Sequence, residues 1–286
     1  MVNFNSFPGG RTFALTMSYD DGTVQDERLV KIFNKHGIKG TFHLNSARMT
    51  RGEQGLMQTV RTLLGGDPVS HIQAARAREV YAGHEISCHT LTHPFPCEIT
   101  RDRLIYETVQ DRLNLEQITG GIVRGMSYPY GQFDRGVIDI MRTCGIVYSR
   151  TTVPTGGFGI PKDFMEWRPT CHHKAAAEPV EKFLALVNGE APRKRETRLL
   201  YIWGHSYEFD NDNNWNLIED LCARLGGNSK IWYATNIEIY DYMMAVRAMR
   251  SSVDGKRLYN PSALSVWVCD SDGAAIEIKP GETREI

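Results

Sequence analysis

The chain has 286 residues, 41% hydrophobic and 23% charged, with a formal net charge of −1. That is ample for a full core, and it lacks the basic surplus expected of nucleic-acid or anionic-membrane partners. Six cysteines (88, 97, 144, 171, 222, 269) form no C-x-x-C pair, which argues against a zinc ribbon or a dense disulfide framework and for reduced thiols. The opening MVNFNSFPGGRTF has no basic n-region or apolar h-region, and apolar runs such as LLYIW (199–203) are too short to span a bilayer. The expectation is a cytoplasmic chain; oligomeric state is left open.

In chain order, FALTMS (13–18) reads as a strand. The following VQDERLVKIFNKHG sets Leu29, Ile32 and Phe33 on one helical face, with Gly37 to end it. Further strands are expected at 40–45, 84–89, 123–128, 146–151, 199–204 and 231–235. Helical patterns lie between most of them, at 73–82, 101–118, 134–144, 180–188, 213–225 and 237–250. Seven strands alternating with helices predict an α/β parallel sheet, open or closed into a barrel. Polar residues recur at the predicted strand ends (Asp20, Asp21, Asn45, His89, His93, Tyr130, Arg150, His205, Asn236), which favours a (β/α) barrel with its chemistry at that rim. Residues 47–72 read as an insertion covering the site. The barrel is expected over 1–252, and 253–286 read as a short β-rich appendage with a DG hairpin signal.

HTLTH (89–93) sets two imidazoles at i and i+4, which on a single helical turn ending at Pro94 aims both at one metal ion. On its own the motif is matched evenly by a surface His pair. SYDDGT (18–23) changes that balance. Two His and one carboxylate leave coordination positions open, and a second carboxylate nearby is free to take a proton from water that the cation has acidified toward pKa ~7. DDG as a plain turn with an N-cap accounts for one aspartate, not for the pair. His205 closes LLYIWGH at another strand end, where an imidazole opposite the nucleophile can protonate a leaving amine. SYPYG (127–131) is a turn whose backbone N–H groups can face an oxyanion.

The order YDDG, GHEISCHTLTH, SYPYG, EWRPT, WGHS resembles the polysaccharide deacetylase family (carbohydrate esterase family four, the NodB-homology domain), from about residue 12 to 250. The resemblance implies a distorted seven-stranded (β/α) barrel. It implies Asp20 as general base, Asp21 with His89 and His93 as ligands of a divalent metal, usually zinc, the Tyr130 backbone N–H as oxyanion donor and His205 as general acid. Trp203 takes the place of an apolar residue at the acetyl methyl, and Trp167 that of an aromatic pocket wall. His172 and His173, after the fourth motif, are assigned to the substrate cleft. Two positions depart from the family pattern. Ser127 stands where an arginine orients the base, and Glu166 replaces the usual aspartate of the fourth motif. Arg150, at the next strand end, is the expected substitute for the missing guanidinium, with Arg124 and Arg168 as alternatives.

The function expected is metal-dependent hydrolysis of acetyl groups from an N-acetylated, or O-acetylated, carbohydrate or small acetylated substrate. A cytosolic cyclic-amide or ureide hydrolase of the same superfamily is the first alternative. A non-catalytic carbohydrate-binding module is the second, disfavoured because Asp20, Asp21 and both His are present together.

Overall fold

The computed structural model describes residues 6–49, 70–189, 196–270 and 273–286. Most of the 47–72 insertion therefore lies outside the described residues. The helices are α1 (Asp26–Lys35), α2 (Ala74–Val80), α3 (Arg101–Thr119), α4 (Arg135–Thr143), α5 (Ala177–Asn188), α6 (Tyr207–Asn211), α7 (Trp215–Leu225) and α8 (Asn236–Ala248). The strands are β1 (Phe13–Asp20), β2 (Gly40–Leu44), β3 (Glu85–Cys88), β4 (Gly125–Ser127), β5 (Tyr148–Arg150), β6 (Cys171–His172), β7 (Arg198–His205) and β8 (Ile231–Tyr233). All seven expected strands are present. β6 is additional, and two residues are too few to carry a periodic signal.

The strands lie in the order β5-β4-β3-β2-β1-β7-β6, and all pairings are parallel. β1 is central, and all eight of its residues are buried, as expected of a strand covered on both faces. It divides one edge between two neighbours, pairing Phe13–Leu15 with β8 and Met17–Asp20 with β2. The free edges of the path are tied by the segment entering β6. Trp167 exchanges backbone hydrogen bonds with Ser149 (3.1 Å) and Thr151 (2.9 Å), and the Thr170 N–H donates to Tyr201 O (2.8 Å). The result is the distorted barrel.

Alternate residues of β1 divide between two environments. Leu15, Met17 and Tyr19 join Leu29 and Phe33 of α1 and Ile218 of α7 in the main apolar core. Thr16, Ser18 and Asp20 turn toward a polar interior. There the Thr16 hydroxyl donates to Asn236 (2.8 Å), the Tyr201 hydroxyl to Ser18 (3.1 Å) and the Tyr148 hydroxyl to Glu85 (2.6 Å). Buried polar groups are tolerated when hydrogen-bonded in this way. Gly125 is required in this layer, because a Cβ there would meet the Tyr148 ring at 2.1 Å.

The C-terminal residues form two small antiparallel sheets. One holds β9 (Arg250–Ser251), β10 (Arg257–Tyr259) and β13 (Thr283–Glu285); the other is the hairpin of β11 (Val266–Cys269) and β12 (Ala275–Ile278). Val266, Val268 and Ile278 pack on Ala245 and Met249 at the end of α8. Among the described residues no helix is long and apolar enough to cross a membrane.

Candidate active site

Three strand ends meet in one register. Asp20 of β1 lies opposite His43 of β2 on one side and His205 of β7 on the other. The Asp20 side chain is almost fully enclosed, and its two oxygens have separate partners. Oδ1 accepts from His43 Nδ1–H (3.1 Å) and from the Ser127 hydroxyl (3.2 Å). Oδ2 accepts from the Arg150 guanidinium, which is itself buried and stacks on Trp203 at 4.2 Å. Burial by itself raises the Asp20 pKa; the Arg150 charge, then His89 and His43, outweigh it and hold the carboxyl well below its usual range. Arg150 reaches this position because β4 and β5 pair Ser127 directly with it, so the smaller residue leaves room for its neighbour's arm. Arg124 instead pairs with Asp241 of α8, at 2.7 and 3.0 Å, and Arg168 and Glu166 are exposed.

Asp21 begins the turn after β1 with a left-handed backbone (φ 77°), which swings its carboxylate away from that of Asp20. Its Oδ1 lies 3.9 Å from His89 Nε2 and 3.8 Å from His93 Nε2, and those two nitrogens face each other at 3.1 Å. The HTLTH segment is not the expected helical turn. It is a loop with Thr90 and His93 both at φ 64°, and this double reversal brings the imidazoles together. Helix α3 templates the loop from behind. Asp111 accepts from the N–H groups of His89 (3.1 Å) and Ser46 (2.8 Å), and Glu107 accepts from the N–H (2.7 Å) and hydroxyl (2.8 Å) of Thr92. The Asn45 amide donates to the carbonyls of His89 and Thr90.

The three residues fit a divalent ion. His89 donates Nδ1–H to the Ser127 carbonyl (2.8 Å), which leaves the Nε2 lone pair toward Asp21. Burial pushes the His89 pKa to about 3 and lowers that of His93, which favours the neutral imidazoles that a cation requires. Asp21 Oδ1 is buried without a hydrogen-bond partner, the Arg48 guanidinium lying 3.6 Å from it, beyond hydrogen-bonding distance, and the donor atoms lie within 4.8 Å of one another.

On the other side, His205 is organised by Glu208 in the first turn of α6. Glu208 Oε2 accepts from the His205 N–H (3.1 Å) and lies 3.4 Å from its Nδ1; His172 Nε2 (3.0 Å) and His173 Nε2 (3.6 Å) approach the same oxygen. Burial lowers the His205 pKa, but the hydrogen bond to Glu208, with the Asp20 and Asp21 charges, carries it above the ordinary imidazole value. Glu208 itself is lowered against its burial by His172 and His205. His172, His205 and Glu208 have ligand-like spacing, yet Lys174 Nζ lies 3.2 Å from Glu208 Oε1 and the Lys174 N–H donates to His172 Nδ1 (3.3 Å). A resident ammonium, and a His172 tautomer with its hydrogen on Nε2, make this a hydrogen-bonded hub.

The remaining expected residues divide. His172 is half-buried, its ring edge-on to Trp203 at 4.8 Å. His173 is enclosed between Tyr19 (5.8 Å) and Phe209 (4.4 Å), and Trp167 is 1% exposed among Tyr148, Phe164 and Tyr201. These last two side chains sit in the core and are not open to a cleft. Tyr130 follows Pro129 with φ 57°, and its ring lies between His93 (4.5 Å) and Phe95 (3.7 Å) at the open side of the site.

A family model described as polysaccharide deacetylase matches residues 9–149. Among solved structures, one from Mycobacterium smegmatis assigned as a polysaccharide deacetylase aligns with a TM-score of 0.56 at 14% identity, over 85% of this chain and 93% of that one. The Streptococcus pyogenes deacetylase PplD in complex with acetate aligns at 0.39 and 16% identity, over 48% of this chain and 55% of its own. A polysaccharide deacetylase from Bacillus cereus aligns at 0.41 and 18%, over 53% of this chain and 44% of its own. The chain thus matches about half the length of these last two. No curated protein matches it. At such identities the likeness concerns the fold, which is the one the M. smegmatis alignment carries.

Proposed function

We propose, from the match of residues 9–149 to the polysaccharide deacetylase family model and from the geometry of the site, that the chain is a metal-dependent hydrolase that removes acetyl groups from an N-acetylated, or O-acetylated, sugar. Asp21, His89 and His93 hold a divalent ion, zinc first among the candidates. Bound there, the ion supplies a Lewis acid and lowers the pKa of water to ~7. Asp20 stays off the ion and accepts the water proton as the oxygen bonds to the acyl carbon. The Tyr130 backbone N–H donates to the charge that develops on the carbonyl oxygen. His205, its Nδ1–H directed at Glu208, gives its Nε2 proton to the nitrogen as the C–N bond breaks, leaving acetate and an amine. Trp203 and His172 line the acyl side.

The observation that carries this reading is the separation of the two carboxylates. Asp21 Oδ1 lies within 3.9 Å of both imidazole Nε2 atoms, whereas Asp20 approaches that of His89 (3.8 Å) and is fixed by Arg150, His43 and Ser127. The test is release of acetate from a panel of N- and O-acetylated sugars by zinc-loaded protein, with cyclic amides and ureides alongside. Acetate with an equal amount of free amine supports the proposal. Turnover of a cyclic amide without any acetate would redirect it to the related ring-opening hydrolases.

A further inference from the structure

We propose that His43 is a positioning residue for Asp20, which fixes the oxygen of the carboxylate that receives the proton; this rests on the deacetylase reading above. His43 is fully buried on β2, in register with Asp20. An imidazole enclosed in a sheet is unfavourable unless its N–H is satisfied, and here a carboxylate satisfies it. Asp20 accepts only, so the hydrogen is on His43 Nδ1. The opposite nitrogen, Nε2, is buried without a partner. A bare acceptor is tolerated there more cheaply than an unpaired N–H, so the ring is the Nδ1–H tautomer.

The consequence is geometric. His43 and Ser127 both donate to Oδ1, at 3.1 and 3.2 Å. Oδ2 has one charged partner, Arg150, and lies 3.8 Å from His89 Nε2, on the side of the Asp21–His89–His93 trio. Oδ1 is filled and Oδ2 keeps a free lone pair toward the trio, so Oδ2 is the accepting atom. Arg150 alone leaves the carboxylate free to rotate about Cβ–Cγ and exchange its oxygens; the second pair of donors, on β2 and β4, prevents that. His43 is outside the trio, and its Nδ1–H is directed at Asp20, so it acts through Asp20.

The experiment compares three variants on whichever acetylated sugar the wild type turns over, with bound metal and kcat and KM measured separately. The Asn amide nitrogen stands where Nδ1 stands, whereas Gln reaches the position of Nε2. His43→Asn is expected to stay within about threefold of wild-type kcat, while His43→Gln and His43→Leu fall roughly 10- to 100-fold, with KM and metal content held. If His43→Leu does not fold, the Asn–Gln pair decides alone. Equal loss in Asn and Gln, or wild-type kcat in Leu, overturns the role of His43. A wild type inert on every acetylated substrate overturns the deacetylase reading instead.

Discussion

Replacing Arg150 by Met keeps most of its bulk and removes the charge that faces Asp20. Both side chains are enclosed (relative exposure 0% and 3%), so the change leaves a carboxylate in the interior without its counter-charge. Breaking a buried pair from one side costs about 3–5 kcal/mol, and for a chain of this size that corresponds to a fall in Tm of roughly 10 °C. The sign with pH follows from Asp20. In the wild type its folded pKa is lowered, so its stabilisation is present above the ordinary carboxylate pKa and lost as pH falls through the folded value. In Arg150→Met the burial that raises the pKa is opposed by His89 and His43 and by the Ser127 hydroxyl, without the guanidinium charge. The variant can then relieve the charge by binding a proton, and its deficit is largest at neutral pH and shrinks on acidification. Urea unfolding of metal-free protein between pH 5 and 8 measures this directly. Adding Asp20→Asn should recover roughly 2 kcal/mol, since both charges are then gone. A deficit below about 1 kcal/mol at pH 7, the scale of an exposed pair, would refute the reasoning.

Three further outcomes follow from the same geometry. Glu208→Gln leaves a neutral amide acceptor but removes the charge that helps to hold His205 above its ordinary value, so that burial, which lowers it, is opposed mainly by the Asp20 and Asp21 charges. In the proposed mechanism the protonated imidazole is the acid, so activity would be lost as pH rises through its pKa, and the descending limb of the pH–kcat profile should move to lower pH; an unmoved limb would assign the acid elsewhere. Asp111→Asn weakens the support of the His89 loop, and zinc affinity, followed by competition with a chromophoric chelator, should fall roughly 10- to 100-fold. Glu107→Gln should act in the same direction through Thr92, and undiminished affinity in both variants would mean that the loop holds its shape without α3.

What could be read from the sequence was mainly the position of residues along strands. The barrel strands, the clustering of Asp20, Asp21, His89, His93 and His205, and Arg150 as the guanidinium beside Asp20 depend on strand ends, which alternation marks well. What pairs across strands was harder to see. β1 is buried on both faces, so FALTMS hides the fact that Thr16, Ser18 and Asp20 climb one polar interior. His43 became significant only through its register with Asp20. The helical expectation for HTLTH failed because its geometry is set by hydrogen bonds that the loop donates to Asp111 and Glu107 of α3, not by local spacing. A signal for that was present: Glu107 and Asp111 stand one turn apart among the buried Leu104, Thr108 and Leu115, and acids on a buried face require partners. Glu208, three residues after His205, carried a similar signal. His173 and Trp167 took core positions because their rings fit aromatic clusters that no single segment reveals.

The central claim is that the adjacent aspartates divide their work, with Asp21 on the ion and Asp20 free to take the proton. The most direct test measures bound zinc and kcat for Asp20→Asn and Asp21→Asn side by side. The account predicts one ion per chain in Asp20→Asn with kcat reduced roughly 10²- to 10⁴-fold, and loss of the ion in Asp21→Asn. Loss of zinc in Asp20→Asn, with zinc retained in Asp21→Asn, would contradict it.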